Sequence, residues 1–334
     1  MSDTRSKLLA LLRSQPAGGF LSGQQAAEAL GVSRAAVCKA AAGLRRQGYQ
    51  IQAVTRRGYR LASEDAPLTR DGLLAALEHW QAPVEVWPSL PSTNLRARQL
   101  ALDGAPAGTV VAALCQTQGR GRFGRVFESP PGGLYLSMVL RPEGSIAQAL
   151  TLTAAAAVAV CRAVEECCGV SLSVKWVNDL VLDGKKCGGI LTEGAAALES
   201  GRLEYLIVGI GLNLCTLPED FSPAVRPVAA SLYPGLAPLP VHQLAASLCR
   251  QLARLCFDPQ PEQFLPEYRR RSCVLGHHIT VHPPAGQPYA AFAQAIDDQG
   301  RLVVRLPAGG VQTLQWGEVS VRSAGSPPPE PASI

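Results

Sequence analysis

Apolar residues recur at helical spacing at Leu8, Leu11 and Leu12, and Pro16, Gly18 and Gly19 end the helix they predict. Ser22-Gly23-Gln24-Gln25 is a capping-box sequence ahead of Ala26, Ala29 and Leu30, and Gly31 closes this second helix. Ser33 caps a third, with Val37, Ala41 and Leu44 on one face and Gly48 just past its end. Two helices separated by the tight Gly31-Val32 turn give a helix-turn-helix arrangement. Residues 49–54 then alternate as a strand, Arg56-Arg57-Gly58 turns, and residues 59–61 return, which makes a wing. Residues 63–67 read as a linker.

Further along, residues 86–94 lead into a helix that Ser92 can cap, with Leu95 and Leu102 turned inward. Residues 109–114 and 134–140 predict strands, and the Ala-rich run 146–168 predicts a buried helix. Residues 171–176 form another strand, which delivers Lys175, Trp176, Asn178 and Asp179 at its exit. A hairpin with Asp183-Gly184 at its turn follows. Its returning strand carries Lys186, Gly188 and Gly189, and a strand over 205–214 carries Gly209, Gly211 and Asn213. Helices and strands in this order predict an α+β protein.

Apolar residues make up 47% of the 334-residue chain and charged residues 17%, a folded composition with room for two or three domains. The opening Ser2-Asp3-Thr4-Arg5 lacks a secretory pattern, and the Ala-rich run falls short of the ~20 apolar residues of a membrane span. A cytoplasmic location is expected. The ten cysteines include no C-x-x-C pair, so zinc or thioredoxin-type sites are not indicated and reduced, mostly buried thiols are expected. Charge is segregated: residues 1–62 hold ten Lys or Arg against Asp3 and Glu28, a net +8, so the remainder carries −3 of the total +5. That asymmetry points to a head that meets a polyanion. Arg34, Lys39 and Arg45 project from the third helix away from its apolar face, and Arg56 and Arg57 sit at the wing tip, where phosphates are within reach.

The loop at 116–125 alternates Gly119, Gly121 and Gly124 with Arg120, Arg122 and Arg125. Glycine permits close backbone approach to an anion and arginine supplies bidentate donors. The loop is neither a Walker loop nor a dinucleotide fingerprint, and a solvated basic turn is the bland alternative. Glycines inside two strands beside a lysine suggest a slot for a slim ligand with an acidic end.

Taken in order, Ser92-Thr93-Asn94, Gly119-Arg-Gly-Arg-Phe-Gly124, Lys175-Trp-Val-Asn-Asp179, Lys186-Cys-Gly-Gly-Ile190 and Gly209-Ile-Gly-Leu-Asn213 resemble a biotin protein ligase. Ser22-Gly-Gln-Gln25 and Ala29-Leu-Gly-Val-Ser-Arg-Ala-Ala-Val37 resemble the DNA-binding head of the bifunctional class, the biotin operon repressors. Gln299-Gly-Arg-Leu-Val-Val304 and Gly317-Glu-Val-Ser-Val321 resemble that class's SH3-like C-terminal β-barrel. The resemblance implies a winged helix-turn-helix domain over 1–63, a mixed α/β ligase domain of the biotin/lipoate type over 64–270 and the barrel over 271–323, and the Pro- and Ser-rich composition of 324–334 predicts a disordered tail outside it.

The implied chemistry has two steps: the biotin carboxylate attacks the α-phosphate of Mg-ATP to give biotinoyl-AMP, and a lysine of the biotin carboxyl carrier protein of acetyl-CoA carboxylase displaces AMP. The resemblance assigns catalysis to Lys186, Arg122 and Asp179, the last also able to orient or deprotonate the incoming lysine. It assigns biotin to Ser92, Thr93, Asn94, Gln116, Gly119, Arg120, Gly121, Arg122, Lys186, Gly188, Gly189, Gly209 and Gly211. The nucleotide falls to Arg120, Arg122, Phe127, Lys175, Asn178, Asp179 and Asn213, with Mg2+ arriving on ATP and no metal held by the protein alone. Operator DNA falls to Ser22, Ser33, Arg34, Ala35, Lys39, Arg45, Arg56 and Arg57. A homodimer of the adenylate-bound form is implied as the repressor, and no membrane is involved. Departures from the family pattern are Phe123 for a second arginine, Val177 for a common proline and Phe127 for a tryptophan, together with Glu128 and Pro130-Pro131. Two other readings are a biotin sensor without ligase activity, which the presence of Lys186 and the Gly-Arg loop disfavours, and a lipoate-type ligase, against which the head and that loop argue. A third is an active ligase whose head does not repress, since Ala40, Ala41 and Ala42 leave the third helix poor in base-reading side chains.

Overall fold

The computed structural model describes residues 4–16, 19–46, 49, 51–54, 56–61, 67–142, 149–196, 203–233, 240–283, 286–315 and 317–321. Gly18, Gly48, linker residues 63–66, the start of the Ala-rich run at 146–148 and the tail 324–334 lie outside these.

The head holds α1 (Thr4–Arg13), α2 (Gly23–Leu30), α3 (Arg34–Arg46), β1 (Ile51–Val54) and β2 (Gly58–Leu61). Its caps form as the sequence predicts. Ser22 and Gln25 make a reciprocal capping box, Gly31 ends α2 in the left-handed region at φ 64°, and Ser33 Oγ accepts from Ala36 N at 3.2 Å. Leu8, Leu12, Ala26, Val37, Ala41, Leu44 and Ile51 close a core separate from that of the rest of the chain. β1 and β2 pair antiparallel, and Leu21 adds a one-residue third strand by exchanging hydrogen bonds with Tyr59 at 2.7 and 2.8 Å.

Behind the head come α4 (Arg70–Leu77), β3 (Val84–Trp87), α5 (Thr93–Leu102), β4 (Val110–Ala113) and β5 (Gly133–Leu140), then α6 (Ala149–Cys168) and β6 (Ser173–Lys175). β7 (Asp179–Leu182), β8 (Lys185–Ala196), β9 (Leu203–Asn213), α7 (Val241–Cys256) and α8 (Leu265–Arg271) complete the unit. Seven strands lie in the order β3-β4-β5-β9-β8-β7-β6, antiparallel except for β3 beside β4. The β7–β8 turn has Asp183 at φ 49° and Gly184 at φ 76°, both positive as a tight hairpin requires.

Alternation divides the two faces of this sheet. Leu134, Leu136, Met138 and Leu140 of β5 join Val208, Ile210 and Leu212 of β9 under α6 and α7. Val139, Ile207 and Val111 face the other way, toward Ala97 and Ala101 of α5. Residues 154–161 of α6 have no exposed surface, because alanine side chains let the helix lie close to both the sheet and α7. α4, β3, α7 and α8 have no counterpart among the elements predicted from sequence.

One sequence expectation is corrected here. Leu95 and Leu102 face out, 37% and 59% exposed, and Ala97 and Ala101 face in with Thr93 and Asn94. α5 lies close over β4, β5 and β9, so small residues take its innermost positions. Ser92 occupies the N-cap position of α5 but makes no capping hydrogen bond.

Next to this unit, β10 (His278–His282), β11 (Tyr289–Ile296), β12 (Leu302–Arg305), β13 (Val311–Leu314) and β14 (Glu318–Val321) form a five-stranded antiparallel sheet. Its order β13-β12-β11-β10-β14 leaves β13 and β14 at the edges, so among the described residues the sheet does not close on itself. Its buried Ile279, Val281, Ala293 and Val304 belong to the core under α6 and α7. Trp176 Nε1 donates to Gly300 O at 3.0 Å and Arg269 Nε to Ile296 O at 2.8 Å, tying the two units together. None of the ten cysteines is in a disulfide and five are buried; burial pushes Cys161, Cys187, Cys249 and Cys256 up to about 12.

Ala156→Leu should destabilise the chain by about 1–3 kcal/mol, because the fully packed α6 has no room for three more carbons. A drop in the urea midpoint with an unchanged slope is the expected observation.

Candidate functional site

A single cleft forms where the N-terminus of α5, the Gly-Arg loop, β7, β8, β9 and residues 317–319 meet. At one end is a ladder of uncharged donors and acceptors. Thr93 donates its backbone N and its Oγ1 to Gln116 Oε1 at 2.8 and 3.2 Å, and Gln116 Nε2 donates to Ser129 Oγ at 2.8 Å. The buried Ser137 Oγ stands 2.8 Å from Thr93 Oγ1 and 2.6 Å from Asn94 Oδ1. Asn94 Nδ2 donates to Glu193 Oε2 at 2.7 Å. α5 brings its first turn to this ladder because Arg96 holds Glu85 of β3 with two bonds of 2.7 and 2.9 Å.

Cations line the other end, and Lys186, Arg120, Arg122 and Arg125 among them are matched to partners. Lys186 Nζ lies 2.6 Å from Asp179 Oδ1, and Arg120 Nη2 lies 3.4 Å from Glu193 Oε1. Arg122 Nη1 donates to Asn178 Oδ1 at 3.2 Å and to Gly317 O at 3.4 Å. Burial lowers the pKa of this guanidinium, while the charges of Glu318 and Asp179 act in the opposite direction. Arg125 pairs with Glu318 at 2.5 Å. Asn178 Nδ2 in turn donates to Ile190 O at 2.8 Å, which fixes the end of β6 against β8.

The in-strand glycines face each other: Gly189 is opposite Gly211, and Leu191 is opposite Gly209. The sequence suggests a slot they leave for a ligand, but protein groups lie in it. A Cβ on Gly209 would stand 1.9 Å from Asn94 Oδ1, and one on Gly211 would stand 2.4 Å from the Phe127 ring. Phe127 thus rests against the bare backbone, with Lys186 Nζ 5.7 Å from its centroid. Gly188 and Gly119 do not line the cleft. Their missing side chains admit Gly211 O at 2.6 Å and Phe127 O at 2.2 Å from the respective Cβ positions, so they serve packing. Asn213 is also off the cleft: it is buried and donates Nδ2 to Ala230 O at 3.0 Å.

The other expected residues do converge. Ser92, Thr93, Asn94, Gln116, Arg120, Gly121, Arg122, Phe127, Lys175, Asn178, Asp179, Lys186, Gly189, Gly209 and Gly211 all border the cleft. Asp179 is not an isolated carboxylate, because Lys186 holds it. Ser137, Ser129, Glu193 and residues 317–319 are additions that sequence reasoning missed, while Arg125, noted there as part of the Gly-Arg loop, also borders the cleft. A lone serine in the apolar strand 134–140 was a readable signal; Glu318, nearly 200 residues from Arg125, had none. Phe123 sits at the exposed apex of the loop with φ 56°, and Glu128 Oε2 accepts from Ser222 N at 2.9 Å. The peptide before Val177 is cis, and Val177 O accepts from the buried Tyr268 hydroxyl at 2.8 Å.

On the head, Arg34, Ala35 and Lys39 lie exposed on α3, and Arg56 and Arg57 lie exposed on the wing. Arg45 differs from expectation. It is half-buried and its Nε donates to Ile51 O at 2.6 Å, tying α3 to β1. Ser22 and Ser33 use their hydroxyls as helix caps.

The model of the Biotin/lipoate A/B protein ligase family matches residues 86–213, and that of an HTH domain matches residues 4–60. Sheet, cleft and head are therefore those of a ligase of this class joined to a helix-turn-helix. The chain is 41% identical over 320 residues to the bifunctional ligase/repressor BirA of Bacillus subtilis, a match covering 92% of this chain and 96% of that protein. It is 32% identical over 325 residues to the bifunctional ligase/repressor BirA of Escherichia coli, covering 95% and 97%. This chain belongs to the family of bifunctional biotin ligase/repressors. A biotin protein ligase from Aquifex aeolicus, in complex with biotin and ATP, shares the fold with a TM-score of 0.58 at 24% identity, over 72% of this chain and 98% of that one. Among the described residues no helix is long and apolar enough to cross a membrane.

The Arg96 hydrogen bonds hold the Glu85 carboxyl below its ordinary value of 4.5. A carboxyl depressed in the folded state contributes its stabilisation above the unfolded-state value and loses it as pH falls through the folded-state value. Glu85→Gln should therefore lower Tm at neutral pH and give a flatter acid limb than wild type. Equal losses at neutral and strongly acidic pH in thermal scans would contradict this.

Proposed function

We propose that the chain activates biotin with ATP to form biotinoyl-AMP and transfers the biotinoyl group to a lysine of the biotin carboxyl carrier protein of acetyl-CoA carboxylase. Its adenylate-bound dimer represses biotin genes at operator DNA. One observation carries the ligase reading. A ladder of uncharged hydrogen-bonding groups and a set of three cations, Lys186, Arg120 and Arg122, share one cleft. The ladder suits the ureido head of biotin, and the cations suit a carboxylate meeting a triphosphate that brings Mg2+ with it.

The pairings define what each residue does in the ligand-bound state. Asp179 holds the Lys186 ammonium in position until the biotin carboxylate and the α-phosphate take its place. The released carboxylate then lies close to where the carrier lysine must lose its proton. Phe127 leaves the Gly211 backbone as ligand enters and offers its ring to the adenine, while the Gly-Arg loop closes over the adenylate and shields it from water. In the attack, a carboxylate oxygen bonds the α-phosphorus as pyrophosphate leaves; in the transfer, the lysine amine bonds the biotinoyl carbon as AMP leaves.

The separate core of residues 8–51 supports a head that ends near residue 63, followed by a ligase domain over 64–270. The sheet of residues 278–321 supports an SH3-like third domain over 271–323. That domain reaches the cleft through Gly317 and Glu318, which hold Arg122 and Arg125.

Incubating the chain with biotin, Mg-ATP and carrier protein should add the mass of one biotinoyl group to the carrier. Lys186→Ala should lower biotin-dependent ATP–pyrophosphate exchange by about a hundredfold or more with an unchanged Tm, as expected when a group that stabilises developing charge is removed. Near-normal exchange would refute the role of Lys186. Deleting residues 1–64 should abolish operator binding and leave ligation in place, since the head core shares no residue with the ligase core.

A further inference from the structure

Phe20 stands just ahead of α2, and two wing arginines gather on its ring: the guanidinium carbons of Arg57 and Arg60 lie 4.3 and 4.7 Å from its centroid. The backbone keeps the three together. Leu21 and Tyr59 exchange two hydrogen bonds, so Phe20, the residue before Leu21, is held beside β2. Gly58 makes that approach possible, since a Cβ there would stand 2.2 Å from Leu21 O and its φ is 101°. Arg60 is fixed further by its Nε, which donates to Gln52 Oε1 at 2.7 Å across the hairpin. Arg57 is exposed and makes no ion pair among the described residues.

Two guanidiniums are stacked on one half-buried ring, so two positive charges are held together at the wing. A guanidinium over an aromatic face keeps its N–H edge directed outward in its own plane, so stacking is compatible with bidentate phosphate binding. Stacked arginines have also given up much of the rotamer freedom that phosphate contact would otherwise remove.

We propose that Phe20, Arg57 and Arg60 form a preorganised clamp for a backbone phosphate of duplex DNA, with Phe20 as the positioning residue. The clamp rests on the DNA-binding reading of the head. It adds Phe20 and Arg60 to the wing contacts, with Arg60 reaching the same ring as Arg57 from the returning strand.

Fluorescence anisotropy of a labelled mixed-sequence duplex several helical turns long, titrated with the full-length chain over a range of potassium chloride, tests it. Non-specific binding is dominated by phosphate contacts, so the operator sequence need not be known. Phe20→Leu should weaken binding roughly three- to tenfold with little change in the salt slope, because the charges remain and only their ordering is lost. Phe20→Trp should bind like wild type. The Arg57→Gln/Arg60→Gln pair should weaken binding and reduce the slope of log affinity against log salt by up to about two. Adding Phe20→Leu to that pair should have no further effect. An equal loss with and without the arginines would make Phe20 merely structural and overturn the clamp, as would Phe20→Leu binding like wild type. A wild-type chain that fails to bind the duplex even at low salt would overturn the DNA reading of the head, and the clamp with it.

Discussion

The ligase cleft depends on two adjacent strands that present bare backbone at the same level. Because Gly209 and Gly211 lack Cβ atoms, the amide of Asn94 and the ring of Phe127 can rest directly on β9. α5 and the Gly-Arg loop thereby come within reach of Asp179 and Lys186 on β7 and β8. A methyl group at either glycine would lift one of these elements off the sheet and separate the uncharged ladder from the cations. The glycine cost in strand stability is thus balanced by the closeness it permits.

Charge imposes the second constraint. Lys186, Arg120 and Arg125 concentrate positive charge in a partly enclosed place, and Asp179, Glu193 and Glu318 are arranged to compensate it. Anionic substrates can take over the cations by exchanging partners, with little rearrangement of the backbone of β7 and β8. Such an exchange suits a site that must gather two anions and then let a charged adenylate remain. Arg122 is held differently, by an amide oxygen and a backbone carbonyl, so it keeps its full charge available to a ligand.

Three units contribute in distinct ways. The seven-stranded sheet supplies the floor, and its second face is closed by the alanine-rich α6. The five-stranded sheet shares that core and brings Gly317 and Glu318 onto the Gly-Arg loop, so the cleft is incomplete without residues from the end of the described chain. The head keeps its own core and exposes Arg34, Lys39 and Arg57 on α3 and the wing, consistent with its segregated charge.

Local chemistry determined much of this from the sequence alone. The capping box at Ser22, the left-handed stop at Gly31 and the Asp183-Gly184 turn depend on contacts within a few residues, so their residue types declare them. The ordered motifs from Ser92 to Asn213 likewise made the ligase site legible. Tertiary structure decided what those signals leave open. Leu95 and Leu102 turn outward because α5 lies close to the sheet, and Arg45 bonds the β1 backbone. Asn213 is sealed under the 214–230 segment, and Phe127 lies over Gly211. Each outcome follows from distances between segments far apart in the chain, and packing of that kind leaves no periodicity or motif along the sequence.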